Sequence, residues 1–143
     1  MKTIFIIGEQ RSGSNLLRLI LNSLPGVSAP HPPHFLERTL PILDSFGPLE
    51  VPKNFAELVD HLCGLVESNP IPWKSAPLNR MEVASRAPAP TLLGAVQSLM
   101  TLEAEANGKT DAWVSKSVQD VQWADQIEAH FDRPLYLHLF RDP

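Results

Sequence analysis

Apolar positions along this chain fall into two alternating patterns. Short continuous apolar runs bounded by turn residues sit between longer stretches whose apolar positions recur every three or four residues, and that alternation predicts an α/β fold. Residues 3–8 (Thr-Ile-Phe-Ile-Ile-Gly) read as a buried strand, and residues 14–24 as a helix that Pro25-Gly26 stops. The stretch 27–33 contains Pro30, Pro32 and Pro33 and predicts extended loop. A helix over 34–45 is expected, weakened by Pro41. Residues 55–67 make a clearer helix, with Phe55, Leu58, Val59, Leu62, Leu65 and Val66 at helical spacing. The proline-rich, polar stretch 69–90, with Trp73 as an isolated aromatic, reads as a long connection or a lid. Another helix is predicted over 91–106, opened by Pro90 or Thr91 and closed by Asn107-Gly108. The second strand falls at 111–116, a helix at 118–131 and the third strand at 135–140. Strand–helix–strand connections of this length predict parallel pairing with right-handed crossovers.

Size and composition narrow the class. A chain of 143 residues, 43% of them apolar, is one domain's worth of soluble globular protein. Its longest apolar runs, such as 4–7, are too short to span a bilayer. The N-terminus lacks a signal-peptide pattern, because Lys2 is followed by a few apolar residues and then by Glu9, Gln10 and Arg11. A net charge of -4 argues against a nucleic-acid partner, which needs a basic face. Cys63 is the single cysteine, so an internal disulfide is excluded and it cannot make a zinc site alone. Its neighbours Leu58, Val59, Leu62 and Val66 predict a core thiol, and a cytoplasmic location is expected.

The chemistry concentrates in residues 8–15, Gly8-Glu-Gln-Arg11-Ser12-Gly13-Ser14-Asn15. A strand that turns into a helix through glycine and hydroxyl residues leaves backbone N–H groups converging on one point, backed by the helix dipole; that makes an anion site, most often for phosphate. The Gly8-to-Gly13 spacing matches a Walker loop, yet Ser14 stands where the lysine belongs and Asn15 where a hydroxyl would hold magnesium. The loop therefore suits a phosphorylated cofactor other than magnesium ATP, and no metal is expected. At the far end Arg141 caps the last strand, where ligands of open parallel sheets lie. The chain stops at Pro143, directly after that strand tip, which reads as a truncated domain.

Three separated segments carry a family resemblance. Residues 6–17, Ile-Ile-Gly-Glu-Gln-Arg11-Ser-Gly-Ser-Asn15-Leu-Leu, resemble the sulfotransferase loop that binds the 5′-phosphosulfate of PAPS (3′-phosphoadenylyl sulfate). The tail Tyr136-Leu-His-Leu-Phe-Arg141-Asp-Pro143 resembles the strand whose terminal arginine grips the cofactor's 3′-phosphate. Between them, Trp113-Val-Ser-Lys116-Ser117 resembles the strand-end lysine segment of bacterial and Golgi-type members. The resemblance implies a P-loop-like three-layer fold around a central parallel sheet, with 1–143 forming a single, incomplete sulfotransferase-like domain that breaks off after its third strand. It also implies transfer of a sulfuryl group from PAPS to a hydroxyl or amine of a small-molecule or glycan acceptor. In that reading Arg11, Ser12, Gly13, Ser14, Asn15 and Arg141 bind the cofactor, and Lys116 stabilises developing charge. Backbone amides and the Arg11 guanidinium suit an oxyanion pair without any metal.

Relatives place a glutamate or histidine after the first helix as the acceptor's base. Here that segment reads Ser28-Ala-Pro-His31-Pro-Pro-His34-Phe-Leu-Glu37. Imidazole titrates near neutrality and can accept a hydroxyl proton, so His34 is the first candidate, His31 the second and Glu37 the third. His61, His130 and His138 read as structural. Asn15 departs from the Thr or Ser usual at its position, and the serine that in relatives follows the Arg-Asp-Pro segment has no counterpart here. Two other readings stand beside this one: a P-loop nucleotide-binding or kinase-like protein, and a truncated, non-catalytic remnant. Nothing in the sequence identifies the acceptor or the oligomeric state.

Overall fold

The computed structural model describes residues 1–8 and 13–140, with the backbone alone at 118 and 119. Four strands, β1 (Lys2–Gly8), β2 (Val27–Ser28), β3 (Ala112–Lys116) and β4 (Leu135–Leu139), form one sheet in the order β2-β3-β1-β4, and every neighbouring pair is parallel. The six α-helices among the described residues are α1 (Ser14–Asn22), α2 (Phe35–Thr39), α3 (Pro52–Glu67), α4 (Arg80–Arg86), α5 (Leu92–Ala106) and α6 (Ala124–His130). This is the mixed α/β, P-loop-like arrangement expected, with four strands where three were read. The extra strand is β2, two residues that pair with Ala112 and Trp113 within the stretch read as loop. So short an edge strand leaves no periodic trace in the sequence.

The chain divides into two compact units. The first comprises Met1–Pro32 and Ala104–Pro143, the second Pro33–Glu103. In the first, the period-2 alternation of β1 and β3 sends side chains to opposite faces of the sheet. Phe5 and Trp113 lie on one face, with ring centroids 5.9 Å apart, and Phe131 after α6 packs on both at 5.6 and 5.5 Å. Ile6, Val114 and Ala29, all fully buried, form the core on the other face, where Leu17 and Leu21 of α1 pack. The sheet therefore has α1 on one side and the 118–131 segment on the other. That segment begins as a 3-10 helix (Val118–Trp123) and becomes α-helical only at α6.

In the second unit, Pro52 occupies the first turn of α3, where its missing N–H costs nothing, so the helix starts three residues before the periodic pattern does. The expected helix over 34–45 is a single α-helical segment, α2, followed by a 3-10 helix (Leu40–Phe46) that accommodates Pro41. The stretch 69–90 also contains α4, whose N-cap Asn79 accepts a hydrogen bond from the Glu82 N–H at 3.1 Å. Buried side chains organise the rest of this connection. Glu103 of α5, 4% exposed, accepts the Lys74 and Ser75 amides at 3.0 and 2.8 Å, and Trp73 packs edge-on against Phe35. Thr91 Oγ1 accepts the Gly94 N–H at 3.0 Å, which makes Thr91 the cap of α5. Cys63 is fully buried and its thiol is pushed up to about 11 by desolvation, as a core cysteine requires.

One ion cluster ties α3 to the turn before α4. The Arg80 guanidinium forks onto both Glu67 carboxylate oxygens and donates to Asp60 Oδ1 at 3.1 Å, while Glu67 Oε2 also accepts the Leu78 N–H at 3.0 Å. The Arg80 hydrogen bonds, followed by the Leu78 amide, hold the Glu67 carboxyl down to about 2 from 4.5. A depressed carboxylate contributes stability above its unfolded pKa and loses it as the pH falls through the folded one. Between pH 4.5 and 2, the wild-type melting temperature is therefore expected to drop more steeply than that of Glu67→Gln. At neutral pH that variant is expected to be less stable by about 1 kcal/mol, the upper range for a partly exposed pair. Parallel melting curves over that range in scanning calorimetry would refute the assignment.

Candidate anion site at the sheet edge

The parallel strands β1, β3 and β4 all end on one edge of the first unit, the edge at which open α/β sheets place their ligands. There β1 ends at Gly8 and α1 begins after Gly13. Gly13 sits in the left-handed region (φ 90°, ψ 14°), a conformation that glycine adopts without penalty, and a Cβ on it would meet nothing within 4 Å. The first helical bond runs from the Leu17 N–H to the Gly13 carbonyl at 3.0 Å. The amides of Ser14, Asn15 and Leu16 therefore precede the ladder. Among the described residues no side chain caps this end and the first turn holds no acidic residue, so none of them compensates the positive end of the helix dipole.

Lys116 closes β3 and stands opposite Ile6 in the register with β1. By alternation it shares the sheet face of Val114, the face that α1 covers. Ser115 points to the other face, where its hydroxyl lies 3.4 Å from Asp120 Oδ2. Burial lowers the pKa of Lys116 and the nearby charge of Arg18 lowers it further. Arg18 is the less obvious member of this corner. It follows Ser14 by one helical turn on the inward side of α1; the two are 5% and 7% exposed, whereas Leu16, Leu19 and Ile20 of the same helix face solvent. Burial lowers the pKa of Arg18 as well.

The remaining sequence-derived residues fall as follows. Gly13, Ser14, Asn15 and Lys116 all belong to the first unit. Arg11, Ser12 and Arg141 lie outside the described residues. His34 belongs to the second unit, where it precedes α2 with φ 57° and ψ 51°, a left-handed conformation that costs a non-glycine residue energy and marks a position fixed by its surroundings. Its Nδ1 is 3.7 Å from Glu37 Oε2. His31 lies in the first unit, two residues after Ala29. His61 is 3.2 Å from Thr39 Oγ1 and packs on Phe46, and burial lowers its pKa and that of His130. His138 is exposed on β4 beside Phe140. Among the described residues, no group of three or more His, Cys, Asp or Glu could hold a metal ion, and no helix is long and apolar enough to cross a membrane.

Sequence reasoning assigned no role to Arg18. A signal was available: once Leu17 and Leu21 are taken as the inward face of the helix, positions 14 and 18 fall on that face too, and a charged residue there is an anomaly.

Comparison with known proteins agrees with this arrangement. The model of the Sulfotransferase family matches residues 3–143. No curated protein and no solved structure matches the chain. With a match of that extent over a four-stranded parallel sheet, the chain belongs to the Sulfotransferase family.

Proposed function

We propose that this protein transfers a sulfuryl group from PAPS to a hydroxyl or amine of a small-molecule or glycan acceptor. The observation that supports this best is the N-terminus of α1, with no capping side chain or first-turn acid among the described residues, on the edge where β1, β3 with its terminal Lys116, and β4 end. The residues present fit a phosphosulfate: open space at Gly13, amides ahead of the helical ladder, and a lysine without a carboxylate partner among the described residues. When bound, PAPS supplies an activated sulfuryl group. The Gly13, Ser14 and Asn15 amides, with the Ser14 hydroxyl, bind the phosphosulfate oxygens, and Arg11 and Ser12 extend that cradle. Lys116 places a positive charge where negative charge grows on the leaving phosphate. Arg141 binds the 3′-phosphate and so separates this nucleotide from ATP. His34 takes the proton of the acceptor hydroxyl, and the Glu37 carboxylate 3.7 Å from its Nδ1 stabilises the imidazolium that results.

Adenosine 3′,5′-bisphosphate, titrated calorimetrically, is expected to bind saturably. Arg11→Ala and Arg141→Ala are each expected to weaken it by about tenfold or more, the loss of one charge-assisted contact. Binding of magnesium ATP with indifference to the bisphosphate would instead support the kinase-like reading and sink this one.

A further inference from the structure

Arg18 carries an inference that rests on the reading just given and extends it. Its guanidinium is buried, yet among the described residues no carboxylate pairs with it. Nε and Nη2 both donate to Asn15 Oδ1 at 3.2 Å, and Nη1 donates to the Ala29 carbonyl at 3.0 Å. Asn22, one turn further along α1, accepts the Ala29 N–H at 2.8 Å, so the helix holds both backbone groups of that residue.

The chemistry of these contacts fixes the Asn15 side chain. A guanidinium has five N–H donors and no acceptor, so only the carboxamide oxygen can face it. The Nδ2 amino group must then point away from Arg18. Asn15 is exposed at the second position of α1, next to the open amides of the helix N-terminus. A threonine or serine hydroxyl that accepted from Arg18 would have one hydrogen left to donate; the oriented asparagine has two. The same guanidinium brings a second positive charge, without a carboxylate partner among the described residues, to the sheet face that carries Lys116. Among the described residues, Arg18 of α1 is the charge that acts on Lys116; Asp120, in the segment after β3, lies beside Ser115 on the opposite face, and β1 and β2 contribute no titratable side chain at that end. A buried guanidinium beside a half-buried ammonium is unfavourable until an anion joins them.

We propose that Arg18 is a positioning residue of the phosphosulfate site: it turns the Asn15 carboxamide so that Nδ2 donates to the bound anion, and with Lys116 it sets the site's preference for a multiply charged one.

The test is a double-mutant cycle of Arg18→Met and Asn15→Ala, read as affinity for adenosine 3′,5′-bisphosphate and, separately, for inorganic sulfate. Each single change is expected to weaken binding about tenfold, the loss of one charge-linked contact. The double variant is expected to lose clearly less than the product, because Arg18 acts partly through Asn15. NMR titration of the Lys116 amine adds a readout that packing alone would not move: removing the neighbouring charge in Arg18→Met is expected to raise its pKa. Asn15→Asp provides a variant that keeps the local shape. Its carboxylate pairs with Arg18 and cancels its charge, so the melting temperature is expected to hold or rise while affinity falls about a hundredfold. Losses that multiply in the cycle, an unmoved Lys116 titration, or an Asn15→Asp chain that binds like wild type would each overturn the proposal. If wild type takes sulfate but not the bisphosphate, the proposed function fails and the sulfate cycle still decides the role of Arg18. If it takes neither, both fail.

Discussion

Gly8→Ala is expected to destabilise the protein by about 3 kcal/mol or more and to abolish bisphosphate binding with it. Two independent costs meet at this residue. Its φ of 145° is a conformation that side chains rarely adopt, and a Cβ there would overlap the carbonyl oxygen of Leu139, with the carbonyl carbon only 3.1 Å away. Gly8 and Leu139 are partners in the β1–β4 register, so the obstacle is backbone and cannot rotate aside. Relief requires the two strand ends to separate, which would displace the end of β1 ahead of Gly13. Urea unfolding measures the first effect and calorimetry the second. An alanine variant of wild-type stability would mean that the two strands do not approach as described.

Lys116→Met is expected to lower PAPS turnover by about 10²–10³-fold, the usual cost of removing one preorganised group from developing charge. Methionine keeps most of the aliphatic stem, so packing against the β1 side of the sheet is retained and the loss reports the charge. The effect belongs on kcat more than on bisphosphate affinity, because charge on the leaving phosphate is greatest in the transition state. Equal losses in both would make Lys116 an ordinary binding residue.

Much of the fold is legible in the residues themselves. The apolar runs at 3–8 and 135–140 fold as β1 and β4, the run at 111–116 as β3, and the parallel pairing follows from the helices between them. The Phe55-to-Val66 periodicity is the buried face of α3. What escaped depends on partners distant in sequence. β2 exists because Val27 and Ser28 meet Ala112 and Trp113, 85 residues further along. α4 is hidden in a proline-rich stretch because its start is set by the Asn79 cap and by the Arg80–Glu67 pair, neither of which is periodic. The split of 118–131 into a 3-10 helix and α6 is likewise invisible to an apolar count.

The candidate site divides in the same way. Glycine spacing, hydroxyl residues and a strand-end lysine are local signals, so the sequence by itself determined the expectation of a phosphate-type loop and which family the chain resembles. It also determined which residue types lack partners for ATP and magnesium. Only the tertiary structure decided that Lys116 lies on the α1 face, that Arg18 is turned inward without a carboxylate partner among the described residues, and that Asn15 is oriented by it. The physical reason is that a charge acts through space and through burial. Arg18 and Lys116 are 98 residues apart in sequence, and what makes the two cations a pair is a strand register, a helix phase and the burial of Arg18.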